Sequence, residues 1–213
     1  MADAIMVPHA CDSLQGLGSL LLDFDPPGKP VLTVYMPRGR RKSDAAFLAD
    51  ELRALDAQLA ETSGQRPTDA DLLAAVEREE RADAALAELL DARPGLPMGN
   101  RDFYELVRAR EYLPAEVFEP AARAALATVE EYTGSDKRVV LSGLVPEPMA
   151  VLDALDDAGV MVAADDTACA GRRAYRAGSA ADPYQRLAEG LLSGPPDSVL
   201  GCPVEDRLAH LLT

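Results

Sequence analysis

The chain lacks tryptophan altogether, and aromatic residues make up only 5% of its 213 positions. Its core must be built from Leu, Ala and Val. Apolar residues reach 48% of the chain, enough for a substantial core. Positive charge is also scarce: 21 Lys and Arg stand against 36 Asp and Glu, a net charge of −15. A surface that acidic repels phosphate backbones and anionic headgroups, which argues against nucleic-acid and membrane-surface partners. No apolar run approaches the ~20 residues of a membrane span. The start, Met1-Ala2-Asp3-Ala4, lacks the basic region and long apolar stretch of a signal peptide. An odd count of three cysteines fits a reducing compartment, so the expected location is cytoplasmic.

Several catalytic signatures are missing too. Two histidines, His9 and His210, make a poor zinc inventory, and neither stands at ligand spacing from a cysteine. There is no G-x-x-x-x-G-K-[ST] phosphate loop. Ser142-Gly143 does not match a nucleophile elbow, and residues 139–145 lack the second and third glycines of a dinucleotide fingerprint.

What the chain does have is three cysteines, Cys11, Cys169 and Cys202, each following a short apolar run. The runs are Ala4-Ile5-Met6-Val7, Val160-Met161-Val162-Ala163-Ala164 and Ser198-Val199-Leu200. Each reads as a buried parallel strand. In open parallel sheets, ligands sit beyond the carboxyl ends of strands. Soft thiolates arriving there point to an iron–sulfur or metal site. The other reading is three buried small hydrophobes, the usual fate of a free cysteine.

The order of elements predicts an α/β protein. It has two incomplete Rossmann-like parallel-sheet lobes, residues 1–42 and 137–213, joined by a helical segment over 43–136. In the first lobe, strands at Ile5–Val7 and Val31–Met36 flank a helix carrying Leu14, Leu17, Leu20 and Leu21. In the middle, Ser43 or Asp44 caps a helix with the stripe Leu48, Leu52, Leu55 and Leu59. Thr68, with Asp71 three residues on, opens the next. Helices over 101–112 and 115–132 follow. The last lobe has strands over 138–143, 160–164 and 198–200 and helices over 149–158, 183–192 and 205–212. With so few strands, both lobes leave edges that a partner subunit would cover. Asp165-Asp166 reads as a cap for a helix after the strand, or as a general base pair or cation ligands. Arg172-Arg173, beside Gly171, reads as a contact to a phosphate or thioester carbonyl, or as plain surface.

A set of short segments carries a resemblance. They are Pro8-His9-Ala10-Cys11-Asp12-Ser13, Glu61-Thr62-Ser63-Gly64, Asp102-Phe103-Tyr104, Arg138-Val139-Val140-Leu141-Ser142-Gly143, Ala164-Asp165-Asp166-Thr167-Ala168-Cys169-Ala170-Gly171-Arg172-Arg173 and Cys202-Pro203. In this order they resemble the 2-hydroxyacyl-CoA dehydratase family, which includes the subunits of benzoyl-CoA reductase, over nearly the whole chain. The resemblance implies a [4Fe-4S] subunit that pairs with a homologous subunit, as a heterodimer or homo-oligomer. It also implies an acyl-CoA substrate and a separate ATP-dependent activator that delivers one electron, making a ketyl radical on the thioester so that a β-proton can leave.

Family members are longer at both ends, so the chain is expected to be a truncated version. Their cluster has three cysteine ligands, and only the middle one maps here, onto Cys11. Cys169 and Cys202 match cleft positions that are not the usual ligands, and stand as second choices for metal. Arg172 and Arg173 are candidates for binding substrate. The resemblance leaves two readings: a catalytic iron–sulfur subunit, or a cluster-free relative that serves as a binding or scaffolding subunit. An unrelated α/β domain is the third.

Overall fold

A computed structural model of the chain describes residues 3–9, 11–24, 26–37, 39, 41–130, 137–170, 173 and 175–194. The backbone divides into two compact units, Met1–Val76 with Ala177–Ser193, and Glu77–Arg176 with Gly194–Thr213.

The first unit is built on two parallel strands, β1 (Ile5–His9) and β2 (Val31–Tyr35), with Ile5 opposite Val31 and His9 opposite Tyr35. Between them α1 (Asp12–Ser19) runs on into a π-helical turn, Leu20–Phe24. The two glycines that weaken α1 in sequence differ in role. Gly16 faces open space, whereas a Cβ at Gly18 would lie 2.5 Å from His9 Nε2, so the helix rests directly on β1 only because that position is bare.

Helix α2 (Lys42–Ser63) is capped two residues before Ser43 and three before Asp44, the expected caps. Arg41 is its N-cap, and Asp44, inside the first turn, folds back to accept the Arg41 N–H at 2.8 Å and its guanidinium at 2.9 Å. It ends at Gly64, whose φ of 71° is open to glycine at little cost. Leu48 and Leu55 of the expected stripe are buried, with Leu32, Val34, Ala49 and Ala188. Leu59 is exposed. A helix of 22 residues is about 33 Å long, against about 17 Å for a five-residue strand, so its far end overruns the sheet. The helix that follows residue 182, here called the unit's closing helix (Pro183–Ser193), packs on α2. Tyr184 donates to Asp56 at 3.0 Å, and Arg53 pairs with Asp182 at 2.8 Å.

Helix α3 (Asp69–Asp91) opens with the expected reciprocal cap. Thr68 N–H donates to Asp71, and Asp71 N–H to the Thr68 hydroxyl. Its later turns belong to the second unit. There α4 (Asn100–Ala109) and α5 (Ala115–Leu126) follow. The fifth helix stops six residues short of its expected end at 132. Two parallel strands, β3 (Lys137–Leu141) and β4 (Val160–Asp165), sandwich α6 (Ala150–Asp157) in the chain order, and their register slips between Val139 and Val140. The closing helix of the first unit is α7 in chain order.

The second unit's core is larger. Leu86, Leu89, Phe103, Tyr104, Val107, Phe118, Leu152 and Val162 are all but fully buried. Asn100 ties the core to the sheet: its amide donates to Val160 O at 2.8 Å, and its carbonyl accepts from Val162 N–H at 2.7 Å.

The α/β class and the parallel pairing are as expected. Among the described residues each sheet has two strands, in keeping with the incomplete lobes expected. At β3, Lys137, Arg138, Val139 and Val140 are exposed. Among the described residues β4 is its one strand neighbour, and β3 stands at the edge of that two-stranded sheet. The strand expected over 198–200 and the helix over 205–212 lie outside the described residues. No helix among the described residues is long and apolar enough to cross a membrane.

Candidate functional site

Each sheet delivers a cysteine just past its carboxyl end, where open parallel sheets place their ligands. The two settings differ. Cys11, two residues beyond β1, is the N-cap of α1, with extended backbone (φ −145°, ψ 166°) and a carbonyl that accepts from Gln15 N–H at 2.9 Å. Its thiol is exposed and makes no capping bond. It therefore stands free at the positive end of a helix, a setting that suits an anionic ligand. Just before it, His9 is buried, edge-on to the Tyr35 ring at 4.3 Å between centroids.

Cys169, four residues beyond β4, is only 4% exposed and belongs to the second unit's core. Its sulfur lies 3.6 Å from Thr167 Oγ1. The Thr167 hydroxyl also lies 2.6 Å from Asp165 Oδ1, and the Thr167 backbone N–H donates to the same oxygen at 2.8 Å. On the other carboxylate oxygen, Tyr104 donates its hydroxyl at 2.8 Å from α4. Burial first, and then the adjacent Asp165, push the Tyr104 hydroxyl far above the usual tyrosine range, so it stays a donor. Burial likewise pushes the Cys169 thiol up, away from the thiolate that a metal takes.

A second set of charges lies at the last turn of α4 and just after it. Arg108 pairs with Glu147 and reaches Glu111 at 3.4 Å, and Arg173 reaches Glu111 at 3.7 Å. Arg173 is thus held in an ion pair and is mostly covered. Arg172 and Cys202 lie outside the described residues. Of the expected site residues, Cys11 is in the first unit, and Cys169 and Arg173 are in the second. Among the described residues, no group of three or more His, Cys, Asp or Glu is arranged to hold a metal ion.

Among the described residues, no helix starts directly after the Asp165-Asp166 pair. A turn over 168–170 follows β4, and Asp165 caps the Thr167 N–H locally instead. Asp166 is buried, and its N–H donates to Leu141 O at 3.0 Å, extending the sheet by one bond. The strand end is therefore closed by side-chain bonds where a helix start was expected.

The comparison with protein families is decisive. The model of the family 2-hydroxyglutaryl-CoA dehydratase, D-component, matches residues 1–213. The chain belongs to that family. No curated protein matches it closely enough to count as a relative. For this D-component family member, sequence reasoning gave no role to Tyr104, Thr167, Arg108 or Glu111. Tyr104 and Thr167 did stand inside quoted segments, Asp102-Phe103-Tyr104 and the run through Cys169. Arg108 and Glu111 carry no local signal, because a charged residue on a helix reads as solvated surface until its partners are known.

Proposed function

We propose that this chain is a subunit of a 2-hydroxyacyl-CoA dehydratase-like enzyme that acts on an acyl-CoA thioester together with a homologous partner subunit. The observation that carries the reading is the family match across residues 1–213. Two features support a partner. Met6, Leu17, Leu20, Leu22 and Phe24 of the first unit are exposed, and each sheet has only two strands among the described residues.

The family's chemistry raises the question of a [4Fe-4S] cluster, which several thiolates must hold. Among the described residues, Cys11 suits one ligand position, being exposed at a strand end and a helix start. Cys169 does not suit one, since it is buried and its thiol is pushed up. This donor set does not make a cluster site by itself. In the catalytic reading, the ligands besides Cys11 come from the partner subunit or from outside the described residues, Cys202 included. The chemistry that such a group supplies when bound is one-electron reduction of the thioester, with the electron delivered by an ATP-dependent activator. This chain's share is to offer Cys11 at the first sheet's carboxyl end and a fixed carboxylate, Asp165, at the second's. Arg172 and Arg173 are the proposed contacts to the thioester.

The second reading is a cluster-free relative that binds or scaffolds. What supports it is the setting of Cys169, a buried thiol that burial pushes away from the thiolate, which leaves Cys11 as the one cysteine suited to a ligand among the described residues. Anaerobic purification with iron and sulfide analysis, plus calorimetric titration with 2-hydroxyglutaryl-CoA and with free coenzyme A, separates the readings. Iron that is lost in Cys11→Ser supports the catalytic reading. An iron-free protein that still binds the thioester supports the second. A protein that takes up neither iron nor thioester overturns both.

A further inference from the structure

Thr167 Oγ1 sits between two acceptors, the Asp165 carboxylate at 2.6 Å and the Cys169 sulfur at 3.6 Å. A hydroxyl has one proton to donate. The short contact to a carboxylate is the stronger bond, so the proton belongs there. Asp165 accepts throughout: the Thr167 N–H and the Tyr104 hydroxyl also point at it. Thr167 is left with only a lone pair to offer the sulfur, and the contact is then made by the Cys169 S–H.

We infer that Cys169 is not a metal-binding thiolate but the donor at the head of a one-way hydrogen-bond chain, Cys169 to Thr167 to Asp165. With Tyr104, this chain fixes the Asp165 carboxylate at the carboxyl end of β4. Cys169, Thr167 and Tyr104 are positioning residues, and Asp165 is the group they position. Bonds aligned in one direction polarise one another, so the set holds the carboxylate more firmly than its members would separately. The other charges that act on the sulfur are Arg108 and Glu111, from α4 and the residues just after it; they oppose each other and are paired. The same hydrogen-bond chain forms whether or not the protein carries a cluster.

The direction of the Thr167–Cys169 bond has a sign that can be measured. An acceptor beside a thiol stabilises the protonated form, and a donor stabilises the thiolate. The experiment uses the full chain with Cys11→Ser and Cys202→Ser, so that Cys169 is the only thiol. Its titration is followed by carbon NMR of isotope-labelled cysteine. Thr167→Val is expected to raise the thiol's acid dissociation constant about threefold or more, since the acceptor is gone. Thr167→Ser, which keeps the hydroxyl, is expected to restore the parent value. Thr167→Ala serves in place of Thr167→Val if the valine variant does not fold, which thermal melting decides. A lowered constant in Thr167→Val, or an unchanged one, overturns the inference, as does a parent thiol that titrates below the ordinary cysteine value of about 8.5.

Discussion

The two units are built to one plan and filled differently. Among the described residues, each has two parallel strands, a helix between them and a cysteine past a strand end. The first has a small core around Leu48 and Leu32, and leaves Leu20 and Phe24 in solvent. The second buries Phe103, Tyr104, Phe118 and Leu152, and ties its sheet to α4 through Asn100 and Tyr104. The cysteines follow suit: Cys11 is an exposed helix cap, and Cys169 is a core thiol with a hydrogen-bond partner. A strand–turn–Cys pattern in sequence therefore fixes where a thiol arrives but not its chemistry. The depth of the surrounding core decides that, because burial penalises the thiolate.

The contrast between the units can be broken most forcefully in the deeper core. Phe118→Ala is expected to lower stability by about 3–5 kcal/mol, read by urea denaturation. Amide exchange should then show β4 and α4 losing protection while α2 keeps more of its own. Equal loss in both units would mean that they do not differ as their cores suggest.

Asn100→Ala is expected to cost about 2–4 kcal/mol, because Val160 O and Val162 N–H would be left in the core without their partner. Asn100→Asp should rescue little, since a carboxylate cannot donate to Val160 O.

The cysteines test the contrast at its sharpest. With Cys202→Ser, iodoacetamide should label Cys11 in the native protein at least about tenfold faster than Cys169, read by peptide mass spectrometry. In denaturant the two rates should converge. Equal native rates would show that the second core is no deeper than the first.

The smallest effect lies at the start of α3. Thr68→Ala removes a cap bond and is expected to cost about 1 kcal/mol in a thermal or urea melt. The same cap has a pH signature. The Thr68 hydroxyl, then its N–H, hold the Asp71 carboxyl below its usual value. A depressed folded-state value means that this contribution is present above the ordinary aspartate value of about 3.9 and is lost as pH falls below it. Thr68→Ala should flatten that part of the acid-stability curve.

Much of the fold was legible in the sequence. The leucine spacing of α2, the Thr68–Asp71 cap of α3 and the apolar runs of β1, β2 and β4 are local signals, set by side-chain periodicity and capping chemistry within a few residues. The strand–turn–Cys plan and the family segments were equally local. What the sequence could not decide is how much material covers each element. Lys137-Arg138-Val139-Val140 reads as a strand, but only its tertiary neighbours decide that it is exposed. Asp165 and Asp166 read as a cap for a coming helix. Whether they meet a helix start or a Tyr104 hydroxyl from 61 residues earlier depends on packing that no short window contains. Cys11 and Cys169 look alike as letters after a strand. Burial is a sum over distant neighbours, and it is burial that leaves one thiol open to a ligand and disfavours the thiolate of the other inside the core.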